Sequence, residues 1–189
     1  MSKPLIGFIG QGWIGKNYAN DFEVRGYEVV RYAKEPEYSG NEKKIAECDI
    51  VFIAVPTPTT PKGFDLTILE SVLPLIGKGK IAVIKSTLLP GLAQELQKKY
   101  PGIILLNSPE FLLKKTAAYD AAHPIMNIVG LTVDDAKHQE AAKKVHAILP
   151  NVPYISTMSS DEAELIKYAH NVHGYLRVVY SNLLYDLSE

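Results

Sequence analysis

Apolar, β-branched runs alternate with longer amphipathic stretches along this chain. The apolar runs fall at 5–9, 28–32, 50–55, 81–85, 103–106, 126–129 and 153–156. Most are continuously apolar, the pattern of parallel strands covered on both faces. Between them, helical spacing marks 13–25, 41–47, 65–76, 91–100 and 134–148. Asp65 and the Asp134-Asp135 pair are N-terminal helix signals. This order predicts an α/β fold built on a doubly wound parallel sheet with right-handed crossovers. After 153–155 the pattern changes. Ser159 with Glu162 spells a capping box, and Asp161 and Glu162 load a first helical turn with negative charge. From there to about Leu187 only Gly174 interrupts a helix. Ala169, Val172, Leu176, Val179 and Leu183 form one apolar stripe along it. The chain therefore reads as a domain over 1–156 and a long helix over 157–189. The stripe calls for a partner, either a further domain or a second copy of the chain.

Residues 5–15 carry the sharpest motif: Leu-Ile-Gly-Phe-Ile runs straight into a Gly-x-Gly-x-x-Gly turn. A buried strand before the turn and a helix after it are the context of a Rossmann-like dinucleotide site. Gly10 suits a tight turn, Gly12 close approach of a pyrophosphate, and Gly15 close helix–strand packing. Gln11, Trp13 and Ile14 complete the cradle, with helix N–H groups facing the phosphates. The alternative is a glycine turn made only for packing. An acid normally ends the second strand and holds the adenosine ribose. Here Ala33 falls at that place, or Tyr32 if the gap is set differently, with Arg31 and Lys34 beside it. Basic neighbours without the acid fit NADP, and equally fit weakened or lost cofactor binding. The acids Glu35 and Glu37 lie past the strand end. The Pro-rich stretch 56–63 reads as a rigid loop at the carboxyl edge of the sheet, where ligands bind in this architecture. Val55, Pro56 and Thr57 there join Ala33 and Lys34 as cofactor-binding candidates.

Composition narrows the classes. The chain has 189 residues, 47% of them hydrophobic and 22% charged, enough for one good core. A net charge of −1 leaves no electrostatic footprint for nucleic acid or an anionic membrane. No stretch approaches a membrane-spanning length. The N-terminal apolar run is broken by glycines and lacks the cleavage pattern of a secretory signal. The single cysteine, Cys48, rules out an internal disulfide and fits a reducing cytoplasm. His170 and His173 are three apart, but no third ligand accompanies them, so no metal site is expected. The tyrosines of the long helix read as interface residues rather than stacking platforms.

Three segments fall where strands should end: Ala54–Pro58, Lys85–Gly91 and Asn107–Leu112. Thr87 supplies a hydroxyl that can position a water or cap the next helix. Glu110 supplies a carboxylate that orients a polar group, accepts a proton, or is a solvated loop residue. Lys167 and Asn171 are four apart on the long helix and share one face. An ammonium beside an amide suits a developing alkoxide, and equally fits a solvated face.

Together with Gly10–Gly15, Ser108–Leu112 and Ala163–Leu184, these segments resemble the N-terminal half of the UDP-glucose/GDP-mannose dehydrogenase family. The resemblance runs along essentially the whole chain. It implies an NAD-dependent four-electron oxidation of a nucleotide-sugar alcohol to the acid, through a thiohemiacetal. It matches Thr87 to a water-binding threonine and Glu110 to the glutamate of Pro-Glu-Phe-Leu. Lys167 and Asn171 match the residues that stabilise the oxyanion and hold substrate. The long helix matches the interdomain connector, which also forms the family's dimer interface, here 159–189. Departures accompany it. The family's nucleophilic cysteine lies beyond this helix, and Cys48 does not stand in for it. Lys114 stands where a second glutamate is common. The isolated chain is therefore expected to be inert, binding a dinucleotide, NAD or NADP, and a nucleotide sugar only with a second domain supplied. Three origins fit: a fragment, half of a split enzyme, or a degenerate non-catalytic nucleotide-binding relative.

Overall fold

Strand alternation feeds two cores at once. In β1 (Ile6–Ile9), Ile6 and Phe8 enter one apolar cluster while Ile9 enters another. The computed structural model describes residues 3–188. After β1 come α1 (Trp13–Val24), β2 (Val29–Tyr32), α2 (Pro36–Ser39), α3 (Glu42–Glu47) and β3 (Ile50–Ile53). A small antiparallel hairpin follows, β4 (Thr59–Thr60) with β5 (Gly63–Phe64), inside the Pro-rich loop. Next are α4 (Thr67–Val72), β6 (Ile81–Ile84), α5 (Leu92–Lys99), β7 (Ile104–Asn107) and α6 (Ala117–Ala122). The described chain ends with β8 (Met126–Leu131), α7 (Ala136–Ile148), β9 (Tyr154–Ser159) and α8 (Ser160–Ser188).

The main sheet has seven strands in the order β2-β1-β3-β6-β7-β8-β9. Pairing is parallel throughout except between β7 and β8, where Leu106 faces Leu131 and Asn107 faces Gly130 in antiparallel register. The result is a mostly parallel, Rossmann-like sheet with flanking helices and a long terminal helix. The chain leaves β1 toward β2 on one side and returns to β3 on the other. That reversal opens a crevice at the carboxyl ends of β1 and β3.

One face of the sheet packs against α1, α6 and α7 through Tyr18, Phe22, Ala121 and Val145. Its centre is aromatic: Phe8 stacks on Phe52 at 5.0 Å and meets Phe22 edge-on at 5.4 Å. The opposite face takes Ile45 of α3, Leu69 and Val72 of α4, and Ala93 and Leu96 of α5.

Local signals explain most boundaries. Asp135 caps α7, its carboxylate accepting the His138 N–H at 2.8 Å. The helix expected over 65–76 is divided. Asp65 accepts the Thr67 N–H at 2.8 Å, α4 ends at Val72, and a tight turn over Leu73–Leu75 completes the span. Pro74 lacks the N–H that an uninterrupted helix needs. At α8, Glu162 accepts both the N–H and the hydroxyl of Ser159, at 3.0 and 2.7 Å. This is the glutamate half of a capping box, with the serine hydroxyl turned donor. The start of α8 presses on β8 at Gly130, where a Cβ would lie 2.8 Å from Ser160 Cα and 2.9 Å from Ala163 Cβ.

Candidate functional site

The crevice between β1 and β3 is lined first by backbone. Gly10 has φ +90°, and a Cβ there would lie 2.3 Å from the Ala54 carbonyl oxygen. At Gly15 a Cβ would lie 1.9 Å from the Gly10 carbonyl oxygen, so α1 docks on the turn only without a side chain. Gly12 faces open space, with nothing within 4 Å of a Cβ. It also precedes α1, whose first turn holds no acidic residue. The positive end of α1 thus looks into a clear approach, the arrangement that takes a phosphate. The geometry fits a dinucleotide's pyrophosphate.

Beyond the turn lies a cavity of about 610 Å³. Gly10, Gln11, Gly12, Trp13 and Ile14 form one wall. Ala33 and Lys34 line it from the end of β2, and Val55 and Pro56 from the loop after β3. Gly15, Thr57 and Thr87 stand outside this lining. Two contributions were not legible in the sequence: Ile68, Val72 and Leu75 supply an apolar wall, and Glu42 joins Tyr32 and Glu35 at the β2 end. Arg31 is turned to α1 instead. Its guanidinium donates to Glu23 at 2.8 Å, Asn20 at 2.7 Å and Gln11 at 3.2 Å.

The loops after β3 and β6 are stitched together. The Ser86 hydroxyl accepts the Val55 N–H at 3.0 Å and donates to the Val55 carbonyl at 2.7 Å. Thr57 donates to the Thr87 carbonyl at 2.7 Å. Thr87 itself is half-buried. Ser86 is therefore a positioning residue that the motif alone did not single out.

A second group of residues gathers where β6, β7 and α8 meet. Lys167 donates to Glu110 Oε1 at 2.8 Å and to the Glu110 carbonyl, and both side chains are buried. Glu110 Oε2 accepts the Leu112 N–H at 2.8 Å. Glu110 is thus no solvated loop residue but the buried partner of Lys167. Lys85 lies nearby, bonded to the Ser108 carbonyl at 3.3 Å and 4.4 Å above the Tyr18 ring. Burial brings its ammonium down to about 8, against the attraction of Glu110. A cavity of about 260 Å³ borders this group, lined by Lys85, Glu110, His123, Asn127 and His170 among others. Asn171, one turn beyond Lys167, is exposed, as is Lys114.

Glu164 is a further buried acid. Its oxygens accept the N–H groups of Gly91 at 2.6 Å and Ala93 at 2.9 Å, capping α5 from α8. Burial pushes its carboxyl up to about 7 in spite of these donors. Cys48 is fully buried, its thiol 3.3 Å from the Lys44 carbonyl, and burial pushes it up to about 12. A thiol so placed is a packing residue, not a nucleophile. Among the described residues no group of three or more His, Cys, Asp or Glu side chains is placed to hold a metal. Nor is any described helix long and apolar enough to cross a membrane.

Comparison with known proteins places the chain. Residues 37–150 match the UDP-glucose/GDP-mannose dehydrogenase family, NAD binding domain. UDP-glucose 6-dehydrogenase 5 of Oryza sativa subsp. japonica is 33% identical over 166 residues, covering 78% of this chain and 35% of the relative. The putative UDP-glucose 6-dehydrogenase YtcA of Bacillus subtilis is 29% identical over 160 residues, covering 78% and 37%. The chain thus spans little more than a third of these relatives' length. Among solved structures, a UDP-glucose dehydrogenase from Pyrobaculum islandicum superposes with a TM-score of 0.81. That match is 23% identical and covers 97% of this chain and 52% of the other. A GDP-mannose dehydrogenase from Pseudomonas aeruginosa gives 0.76 at 22% identity, covering 94% and 51%. By the match over more than half its length, the chain belongs to the UDP-glucose/GDP-mannose dehydrogenase family.

Proposed function

We propose that this chain is the dinucleotide-binding half of a nucleotide-sugar dehydrogenase resembling UDP-glucose 6-dehydrogenase. The glycine turn opening onto the 610 Å³ cavity carries this reading. Gly10–Ile14, Ala33, Lys34, Val55 and Pro56 hold the dinucleotide, with Gly15, Thr57 and Thr87 shaping the turn and loops that carry them. A nicotinamide dinucleotide held there would supply the hydride acceptor for oxidation of the sugar C6 alcohol to the acid. Glu110, Lys167 and Asn171 face the substrate side. The buried Glu110–Lys167 pair holds an ammonium ready for a developing alkoxide. Thr87 orients water.

The chain binds a nucleotide sugar and oxidises it only with a second, thiol-bearing domain, because its single thiol, Cys48, is buried and pushed well above the usual thiol range. The apolar length of α8 joins two copies through 159–189, of which Glu189 lies outside the described residues. The single unpaired cysteine suits the cytoplasm. A second reading, a nucleotide-binding protein without catalysis, is favoured by one observation: Lys114 adds a cation where the family commonly has a second glutamate.

Calorimetric titration with NAD⁺ and NADP⁺ tests the dinucleotide reading, and saturable binding of at least one is expected. Adding a thiol-bearing C-terminal domain of a relative then tests the enzyme reading. NADH formation from UDP-glucose only in the mixture supports it. Dinucleotide binding with no turnover in the mixture supports the non-catalytic reading. Turnover by the chain alone overturns its inertness.

A further inference from the structure

The β2 end of the 610 Å³ cavity lacks the acid that dinucleotide folds place there to take the adenosine ribose hydroxyls. Ala33, in that position, is buried and has nothing to offer a hydroxyl. A carboxylate nevertheless reaches the same rim from another element. Glu42, the first residue of α3, lines the cavity beside Tyr32, and the Tyr32 hydroxyl donates to Glu42 Oε1 at 2.9 Å. The residue before it is tied down as well: Asn41 donates to the Arg31 carbonyl at 3.0 Å. The entry of α3 is thus fastened to the carboxyl end of β2 at two successive residues.

Charge at this rim points the same way. Of the nearby cations, Arg31 is held by Glu23, Asn20 and Gln11 on the α1 side. Only Lys34 lines the cavity there, against two carboxylates, Glu35 and Glu42. A ribose diol donates hydrogen bonds and is neutral. A 2′-phosphate accepts them and brings roughly two negative charges. A rim of net negative charge holds the first and repels the second.

We propose that Glu42 replaces the missing β2 acid, its carboxylate accepting the adenosine ribose hydroxyls and making the cavity select dinucleotides without a 2′-phosphate. The inference rests on the dinucleotide reading above and names the residue of this chain that reads the ribose. Tyr32 acts as the positioning residue that presents the carboxylate. The Tyr32 phenol is accordingly pushed up, first by its hydrogen bond to Glu42.

The test is the ratio of the two affinities, because a merely structural defect weakens both ligands alike. The full chain is titrated with NAD⁺ and with NADP⁺, and each variant's fold is checked by circular dichroism. The wild-type chain is expected to bind NAD⁺ at least about tenfold tighter. Glu42→Gln should bring the two affinities within about threefold, and Glu42→Lys should reverse the preference. Tyr32→Phe should fall between wild type and Glu42→Gln. Glu35→Gln should move the ratio less than about twofold, since no bond fixes that side chain at the rim. A wild-type preference for NADP⁺, or an unchanged ratio in folded Glu42→Gln, overturns the inference and leaves the dinucleotide reading standing. Binding of neither ligand by the wild-type chain overturns both.

Discussion

The two parts of α8 invert the usual relation between polarity and burial. Over Ser160–Lys167 the helix sends polar and charged groups inward: Ser160, Glu164 and Lys167 are all buried. From Tyr168 onward it turns apolar groups outward, with Leu176 56% exposed and Leu183 likewise. The first part is fixed by long-range bonds, Glu164 to the start of α5 and Lys167 to Glu110. The second part carries the stripe that periodicity picks out. A hydrophobic stripe therefore says which face wants a partner, not which part of a helix is already packed. The polar anchors fix the helix to its own domain, and the stripe lies exposed beyond them.

The largest effect expected from breaking this contrast comes at Lys167. Its removal leaves the Glu110 carboxylate buried without its cation. Lys167→Ala should cost about 3–5 kcal/mol of unfolding free energy in a urea titration. Replacing both partners, Glu110→Gln with Lys167→Met, should recover a good part of that loss, because no uncompensated charge remains. A cost below about 1 kcal/mol for Lys167→Ala would mean that the pair is solvated and the proximal half is not anchored by charge.

Glu164 sharpens the same point through pH. Its carboxyl titrates at 4.5 when free and is pushed up to about 7 in the fold, chiefly by burial, with Asp161 adding to the rise and the Gly91 and Ala93 N–H groups opposing it. Between those pH values the folded chain keeps a proton that the unfolded chain releases. The contribution of this group to stability is therefore fully present below pH 4.5 and declines as pH rises toward 7. The decline should total on the order of 3 kcal/mol, at about 1.36 kcal/mol per pH unit. Glu164→Gln should remove this component of the pH dependence while keeping an acceptor for one of the two N–H groups. Stability profiles that superimpose for wild type and Glu164→Gln between pH 4.5 and 7 would show the carboxyl to be unperturbed.

The contrast also marks what a sequence can tell. Strands were legible because their residues are apolar on both faces, and β1, β3 and β6 lie where the runs of Ile and Val place them. The reversed direction of β8 was not, because its apolar run pairs equally well either way. The division at Pro74 and the hairpin within 56–64 are not legible, because each is set by turns inside a longer segment. The glycine turn was legible because its neighbours in sequence are its neighbours in space. Glu42 was not, since its bond to Tyr32 depends on how α3 folds back onto β2. The Glu110–Lys167 pair spans 57 residues, and Glu164 reaches 71 and 73 residues back. Strand ends and helix spacing single out Glu110 and Lys167 separately, and neither that pattern nor the family resemblance says that they touch.

The smallest effect on folding is expected in the distal half. Leu176 and Leu183 make little contact with the domain, so Leu176→Asp with Leu183→Asp should change stability by less than about 0.5 kcal/mol, measured at high dilution. Dilution matters because association of folded chains would itself raise apparent stability. Assembly should respond in the opposite way. Light scattering of the wild-type chain at high concentration should report a mass above that of one chain, and the double variant should report one chain. The two measurements together separate the halves of α8: Lys167→Ala unfolds without needing a partner, while the aspartates dissociate without unfolding. A wild-type chain that scatters as a monomer at every concentration would remove the second copy as the partner. The stripe would then be left to a further domain, joined on the same helix.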